Sequence, residues 1–131
     1  MDIEDTANGE KGTILLVDDE QQVRGTVREY ITNNGYHVVE AASGQEGLEA
    51  YRRGSFGLIV SDVLMPDMTG VAMFQQLKGE YPNAKIIFFS GAPGNEKTNI
   101  ANLVSSGDAL FLTKPLDLPK LPDAIKAMYQ R

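Results

Sequence analysis

Three acidic residues follow a short apolar run near the start of the chain. Residues 14–20 read ILLVDDE, so the segment changes from apolar to acidic within one position. Neighbouring carboxylates repel, and each resists ionising beside another, so Asp18, Asp19 and Glu20 favour a positive partner. That partner is either a metal cation or a basic side chain from elsewhere in the chain.

Reactive or charged side chains also follow three later apolar runs. Each stands where a run ends: Asp62 after residues 56–60, Ser90 after residues 84–89 and Lys114 after residues 109–113. A carboxylate can act as a nucleophile and form an aspartyl phosphate. A lysine and a hydroxyl supply the positive charge and the hydrogen-bond donor that an added phosphoryl group needs.

The apolar pattern predicts five strands and five helices in strict alternation. Five short apolar runs are typical of buried strands, at residues 13–17, 37–41, 56–60, 84–89 and 109–113. This alternation predicts a parallel sheet covered by helices on both faces, with right-handed crossovers. The carboxyl ends of the strands then lie at one edge, where ligands of such sheets bind. Asp18, Asp19 and Asp62 would form an oxygen-rich cluster there that suits Mg²⁺.

The segments between the strands carry helical spacing and capping signals. The first helix ends at residues 33–35 (NNG), where Gly35 suits a left-handed cap. Ser43 and Glu46, three residues apart, predict a capping box at the start of the second helix. The fourth helix, near residues 95–105, has the weakest apolar signal and follows a stretch rich in helix breakers.

Composition narrows the classes of function. The formal net charge of −6 argues against direct binding to nucleic acid or to anionic lipid. The chain has no cysteine, which excludes disulfides and thiolate chemistry. No apolar run reaches the roughly 20 residues of a membrane span, and the polar N-terminus lacks the features of a signal peptide. We therefore expect a soluble cytoplasmic protein that does not bind membranes.

The length of 131 residues suits one domain. Residues 1–12 read as a flexible acidic tail, and residues 13–131 as a domain with a core of its own. The initial Met and the irregular acidic start favour a natural N-terminus. The C-terminal end leaves open whether the domain stands alone or belongs to a longer regulator or hybrid kinase.

Four segments carry a family resemblance, in the same order along the chain as in the family. They are ILLVDDE (14–20), LIVSDVLMPDMTG (58–70), IIFFSGAPG (86–94) and FLTKP (111–115). Together they resemble the receiver domains of bacterial response regulators, the phosphorylatable modules of two-component and phosphorelay signalling. The similarity covers residues 12–128. It implies a doubly wound, flavodoxin-like (βα)5 fold with a five-stranded parallel sheet in the order 2-1-3-4-5.

The resemblance implies a phosphoacceptor and a Mg²⁺ site. Asp62 matches the aspartate that takes a phosphoryl group from a phosphohistidine donor. Asp19 matches a direct Mg²⁺ ligand, together with Asp62 and the backbone carbonyl of Leu64. Asp18 matches the acid that holds the metal largely through water, and Lys114 matches the lysine that pairs with the phosphoryl oxygens.

A switch is implied as well. Ser90 matches the hydroxyl that moves to bond the phosphoryl group, and Phe111 matches the aromatic side chain that turns inward on activation. A cis peptide bond before Pro115 would aim Lys114 at the site. These movements would change the surface formed by the fourth helix, the fifth strand and the fifth helix.

The partners implied by the resemblance are proteins. The phosphoryl donor would be a histidine kinase or a histidine phosphotransfer protein, and the recipient of the signal a downstream protein or an output domain. The domain would be a signalling module rather than an enzyme, apart from its own phosphorylation and autodephosphorylation. Leu110, where the family often has a polar residue, leaves open a phosphorylation-dependent homodimer.

The same residues bear on three other functions. A phosphatase of the dehalogenase-like class needs an acid two residues after the nucleophile, where Leu64 stands. A flavin or nucleotide carrier needs a phosphate-binding loop after the first strand, where the acidic residues 18–20 would repel phosphate. A degenerate receiver that binds partners without phosphorylation stays open as the alternative.

Overall fold

Residues 12–131 are described by the computed structural model, and they form five strands and five α-helices in alternation. The strands are β1 (Thr13–Val17), β2 (His37–Ala41), β3 (Leu58–Ser61), β4 (Ile86–Ser90) and β5 (Ala109–Thr113). The α-helices are α1 (Gln21–Thr32), α2 (Gly44–Arg53), α3 (Gly70–Glu80), α4 (Lys97–Ser105) and α5 (Leu121–Tyr129). Single 3₁₀ turns, Gly94–Glu96 and Leu118–Lys120, precede α4 and α5.

The five strands form one parallel sheet in the order β2-β1-β3-β4-β5, which confirms the predicted flavodoxin-like fold. Val17 at the end of β1 lies opposite both Ala41 of β2 and Ser61 of β3. Ser90 at the end of β4 lies opposite Thr113 of β5. The strands therefore end at a shared edge, and their following loops meet where the strand order reverses between β1 and β3.

The sheet separates two hydrophobic clusters because alternate side chains of a strand point to opposite faces. One cluster packs α2, α3 and α4 on the sheet, with Phe74 against Phe88 at a ring-centroid distance of 6.3 Å. The other cluster packs α1 and α5 on the opposite face. Phe111 belongs to the first face, whereas its neighbour Leu110 is half-buried against the second.

Two strands begin later than the sequence predicts. The third predicted strand, 56–60, is displaced by two residues at its start because Phe56 stacks on Tyr51, with ring centroids 5.8 Å apart. The fourth also begins two residues late, since the N–H of Ala84 donates to the carbonyl of Tyr81 and closes a turn. Apolar character alone places these residues in strands, whereas the contacts of Phe56 and Ala84 place these two residues before the strands begin.

The predicted caps are present with one change of partner. The Ser43 hydroxyl accepts a hydrogen bond from the N–H of Glu46 at 3.1 Å, which confirms the N-cap of α2. The Glu46 carboxylate accepts from the N–H of Ala42 at 3.0 Å, one residue before the position that a capping box uses. Gly35 has φ of +92°, the left-handed conformation predicted for it.

Gly12, the last residue of the predicted tail, contacts the start of β2. Gly12 is buried and its carbonyl accepts a hydrogen bond from the N–H of His37 at 2.8 Å. The rest of the tail predicted for residues 1–12 lies outside the described residues. Within residues 12–131, no helix combines the length and the apolar character needed to cross a membrane.

Two glycines of α3 form a matched pair for testing how closely this helix approaches β3. A Cβ on Gly70 would lie 2.1 Å from the Asp62 carbonyl oxygen, whereas a Cβ on Gly79 would meet nothing within 4 Å. We expect Gly70→Ala to lower the free energy of unfolding by about 3 kcal/mol because backbone must move. Gly79→Ala is expected to raise it by up to about 1 kcal/mol because alanine favours helix. Urea unfolding measures both, and an unchanged Gly70→Ala variant would contradict the close approach.

Candidate functional site

The predicted site residues from three strand ends meet at the edge of the sheet. Asp18 follows β1 and is 2% exposed, and Asp62 follows β3 and is 8% exposed. The Lys114 ammonium, which follows β5, donates to Oδ2 of Asp62 at 3.1 Å and also to Oδ2 of Asp18. A half-buried ammonium thus lies between two buried carboxylates, and it is the positive partner that the acidic run requires.

Asp18 is held by contacts on its side chain and on its backbone. Its Oδ1 accepts from the N–H of Glu20 at 2.9 Å, while Oδ2 faces Lys114. Its own N–H donates to the carbonyl of Ala41 at 3.1 Å, and its carbonyl accepts from Nη1 of Arg24 at 2.7 Å. The carboxylate direction is therefore set by four different parts of the chain.

Asp62 is fixed in a way that leaves one carboxylate oxygen toward the site. Oδ1 accepts from the N–H of Val63 at 2.7 Å, and the Asp62 N–H donates to the carbonyl of Val17 at 3.0 Å. The Ser61 hydroxyl donates to the Asp62 carbonyl at 2.8 Å. Among the hydrogen bonds of the described residues, Oδ2 keeps only the contact with Lys114, so this oxygen is the one that faces the lysine.

The carboxylates fit a hard divalent cation. Oxygens of Asp18, Glu20 and Asp62 lie within 4.8 Å of one another. An all-oxygen set of this kind suits Mg²⁺, which takes one or two carboxylates and keeps water. Asp19 is exposed and lies outside this group of three, so its role as a direct ligand stays a prediction, as does that of the Leu64 carbonyl.

Glu20 is the acid that sequence reasoning left out of the metal site. Its signal lies in the acidic run itself, since the chain bends at Asp19 and the N–H of Glu20 donates to the Asp18 carboxylate at 2.9 Å. Glu20 has extended backbone angles, φ −93° and ψ 106°, at the start of α1. Its carboxylate therefore joins that of Asp18 at the sheet edge.

The ion pair changes the titration of the lysine. Burial lowers the pKa of Lys114, but hydrogen bonds and negative charge from Asp18 and Asp62 outweigh it, so the pKa lies above the ordinary 10.5. Because the folded-state pKa is raised, the stabilisation is complete below the unfolded pKa and is lost as pH rises through the folded value.

The alkaline unfolding profile should show this effect. We expect the wild type to lose its stability advantage over Lys114→Met only above about pH 10.5, where lysine ordinarily titrates. Urea unfolding of both chains from neutral pH to about pH 12 measures the difference, and tyrosine titration is common to both. Parallel curves for the two chains would show that the ion pair adds no pH-dependent stability.

Ser90 and Lys114 share a backbone contact at the ends of β4 and β5. The N–H of Lys114 donates to the carbonyl of Ser90 at 2.9 Å. The Ser90 side chain is 1% exposed, and its hydroxyl donates to the carbonyl of Ala92 at 3.0 Å. The peptide bond between Lys114 and Pro115 is cis, as predicted. In this arrangement the hydroxyl is engaged within its own loop.

Phe111 lines a cavity of about 450 Å³ between β5 and α4. Ile100 and Val104 form the apolar wall that α4 contributes, and Lys97 stands at the start of that helix. The half-buried ring therefore has space on the face of the sheet that also carries the cluster with Phe88. The switch role of this aromatic residue stays a prediction.

The loop that carries Asp62 is tied to two helices by residues that the sequence analysis did not single out. The Asp67 carboxylate accepts from the N–H groups of Gln45 and Gly44 at 2.9 and 3.1 Å, and these hydrogen bonds lower the pKa of Asp67. The Thr69 hydroxyl donates to Glu96 at 2.9 Å. These two contacts connect the loop after β3 to the start of α2 and to the turn before α4.

Comparison with known proteins agrees with this geometry. The family model described as response regulator receiver domain matches residues 14–126. Sensor kinase CckA from Brucella abortus is 40% identical over 122 residues, which cover 91% of this chain and 13% of the kinase. Chemotaxis protein CheY from Bacillus subtilis is 29% identical over 113 residues, covering 86% of this chain and 92% of CheY.

A solved structure extends the likeness to a ligand-bound relative. The response regulator TrrA from Thermotoga maritima, in complex with Mg(2+)-BeF, is 26% identical with a TM-score of 0.77. The similarity covers 88% of this chain and 97% of TrrA. Fold, site geometry and a family match over most of the chain lead to one conclusion: this chain belongs to the response regulator receiver domains of two-component signalling.

Proposed function

We propose that this domain accepts a phosphoryl group on Asp62 from a phosphohistidine of a histidine kinase or a histidine phosphotransfer protein. The observation that carries the proposal is the Lys114 ammonium lying between the carboxylates of Asp18 and Asp62 at the sheet edge. Oδ2 of Asp62 attacks phosphorus, and the bond from phosphorus to the imidazole nitrogen breaks. The electron pair stays on that nitrogen, which takes up a proton from solvent.

The charges around Asp62 suit this transfer. Negative charge spreads over the phosphoryl oxygens as the bond to the donor breaks, and groups fixed beforehand stabilise it best. Lys114 already donates to the oxygen that would attack, so its ammonium is within reach of the group that forms there. Asp18, Glu20 and Asp62 would hold Mg²⁺ at this edge, together with Asp19 and the Leu64 carbonyl that the resemblance implies. The cation would supply further positive charge to the phosphoryl oxygens.

The change after phosphorylation begins at Ser90. Its hydroxyl would give up the carbonyl of Ala92 and donate to a phosphoryl oxygen, which frees the start of the following loop. Phe111 would then turn into the space beside α4. The phosphoryl group biases a two-state equilibrium because it interacts with only one of the states. The surface of α4, β5 and α5 then differs for a downstream protein or an output domain.

The test is the intact mass of the full chain after incubation with acetyl phosphate, with and without Mg²⁺. We expect a gain of one phosphoryl group that depends on Mg²⁺. The gain should decay with time, because the domain hydrolyses its own aspartyl phosphate. No gain, together with no binding of beryllofluoride in the presence of Mg²⁺, would contradict the proposal. A phosphorylation-independent interaction module would then be the better account of this chain.

A further inference from the structure

Arg24 makes contacts that neither the phosphoacceptor nor the switch accounts for. Its guanidinium lies in the first turn of α1, and its side chain is only 14% exposed. Nη1 donates to the Asp18 carbonyl at 2.7 Å, and Nε donates to the Glu40 carboxylate on β2 at 2.9 Å. One side chain therefore joins the start of α1, the end of β1 and the edge strand.

The bond to the Asp18 carbonyl fixes the peptide that leads into the acidic turn. That carbonyl belongs to the peptide unit between Asp18 and Asp19, so its direction sets the path of the next residues. The Glu20 N–H then returns to the Asp18 carboxylate at 2.9 Å. Arg24 thus holds the backbone that connects Asp18 and Glu20, whose carboxylate oxygens lie near that of Asp62.

The Glu40 carboxylate provides the negative partner of the Arg24 guanidinium. An unpaired guanidinium this near the acidic turn would be drawn to the cluster carboxylates and would oppose a metal cation there. The Glu40 carboxylate accepts from Arg24 and also pairs with Arg28 at 3.3 Å. Counted as ionised, Asp18, Glu20 and Asp62 with Lys114 carry three negative charges and one positive, which leaves a net charge of −2 for one divalent cation.

We propose that Arg24, oriented by Glu40, is a positioning residue for the cation site formed by Asp18, Glu20 and Asp62. The inference rests on the proposed function, which requires Mg²⁺ at that site. Arg24 holds the acidic turn through the Asp18 carbonyl, and Glu40 keeps the guanidinium away from the carboxylates. Groups that orient metal ligands in this way typically change metal affinity by about 10-fold to 100-fold when removed.

The test is a calorimetric titration of the full chain with MgCl₂ alone, without any phosphoryl donor. We expect Arg24→Ala and Glu40→Gln each to weaken Mg²⁺ binding by about tenfold or more. Arg24→Lys should be intermediate, because one ammonium lacks the fork that reaches both the Asp18 carbonyl and Glu40. Circular dichroism checks that each variant is folded, and Glu40→Gln carries the test if Arg24→Ala does not fold.

Arg28→Ala is the matched control. Arg28 is 47% exposed and shares Glu40 with Arg24, and its ion pair within residues 12–131 is with Glu40. We expect its Mg²⁺ affinity to stay within about twofold of wild type, as for a surface pair of small energetic weight. An equal loss in Arg28→Ala, or an unchanged affinity in both Arg24→Ala and Glu40→Gln, would overturn the positioning role. Wild-type chain that binds no Mg²⁺ would overturn the metal site as well.

A second readout separates positioning from general damage to the domain. If Arg24 orients the metal ligands, saturating MgCl₂ should return acetyl phosphate labelling of Arg24→Ala to nearly the wild-type level. A labelling defect that persists at saturating MgCl₂ would show that Arg24 acts on something other than cation binding. This outcome would overturn the inference while leaving Asp62 as the phosphoacceptor of the proposed function.

Discussion

Asp62→Asn is expected to abolish the Mg²⁺-dependent mass gain that acetyl phosphate produces in the wild-type chain. The amide keeps the shape of the side chain, but it lacks the charged oxygen that attacks phosphorus. Because Oδ2 of Asp62 faces Lys114 while Oδ1 accepts from Val63, we expect labelling to fall by more than about a hundredfold. Intact mass spectrometry after timed incubation measures it.

Asp67→Asn is the control for this prediction. Asp67 lies on the same loop, but its carboxylate accepts from the amides of Gly44 and Gln45 at the start of α2 instead of facing the site. We expect this variant to take up the phosphoryl group at a rate within severalfold of wild type. Labelling that survives in Asp62→Asn would place the acceptor on another residue, which peptide mapping would then identify.

Lys114→Met is expected to lower both phosphorylation and stability. The substitution leaves the buried carboxylates of Asp18 and Asp62 facing each other without the ammonium that now lies between them. Removing one partner from a buried ion pair typically costs about 3–5 kcal/mol. Because Lys114 is partly exposed at this sheet edge, we expect a loss of about 3 kcal/mol. Saturating Mg²⁺ should recover part of the loss, because a cation bound to the folded state stabilises it.

Urea unfolding with and without Mg²⁺ measures this effect, and Lys120→Met provides the comparison. Lys120 pairs with Asp117 at 3.4 Å, but its side chain is 72% exposed. We expect Lys120→Met to change the free energy of unfolding by less than about 1 kcal/mol, and by the same amount with and without Mg²⁺, because its cation site is intact. If Lys114→Met matched Lys120→Met in both measurements, the central ion pair would not contribute to the fold.

The sequence predicts most of the site because the topology is parallel. Once five strands alternate with helices, Asp18, Asp62, Ser90 and Lys114 have to lie at one sheet edge, whatever the details of packing. The structure places all four there. The sequence does not predict contacts that depend on the direction of a helix relative to a strand. Arg24 is an example, because its side chain extends from α1 to the Asp18 carbonyl.

The predicted boundaries of helices and strands are wrong where local contacts compete with apolar character. Phe56 is apolar and aromatic, which favours a strand, yet its half-buried ring stacks on Tyr51 ahead of β3. The turn Gly94–Glu96 precedes α4 because Gly94 has φ of +59°, which an α-helix does not accommodate. The last helix begins at Leu121 after a 3₁₀ turn, in a segment where Pro119 and Pro122 provide no backbone N–H.

The central place of β3 has a consequence for how the domain moves. All four residues of this strand are buried between β1 and β4, and the amide of Asp62 continues the ladder by donating to Val17. Amides in such a strand exchange with deuterium mainly when the whole domain unfolds, whereas exposed loops open at far lower free energy. We therefore expect the backbone of β3, which leads into the proposed acceptor, to stay hydrogen-bonded while the domain changes state. Exchange differences between the two states should then collect in the loop from Gly91 to Asn95 and in α4.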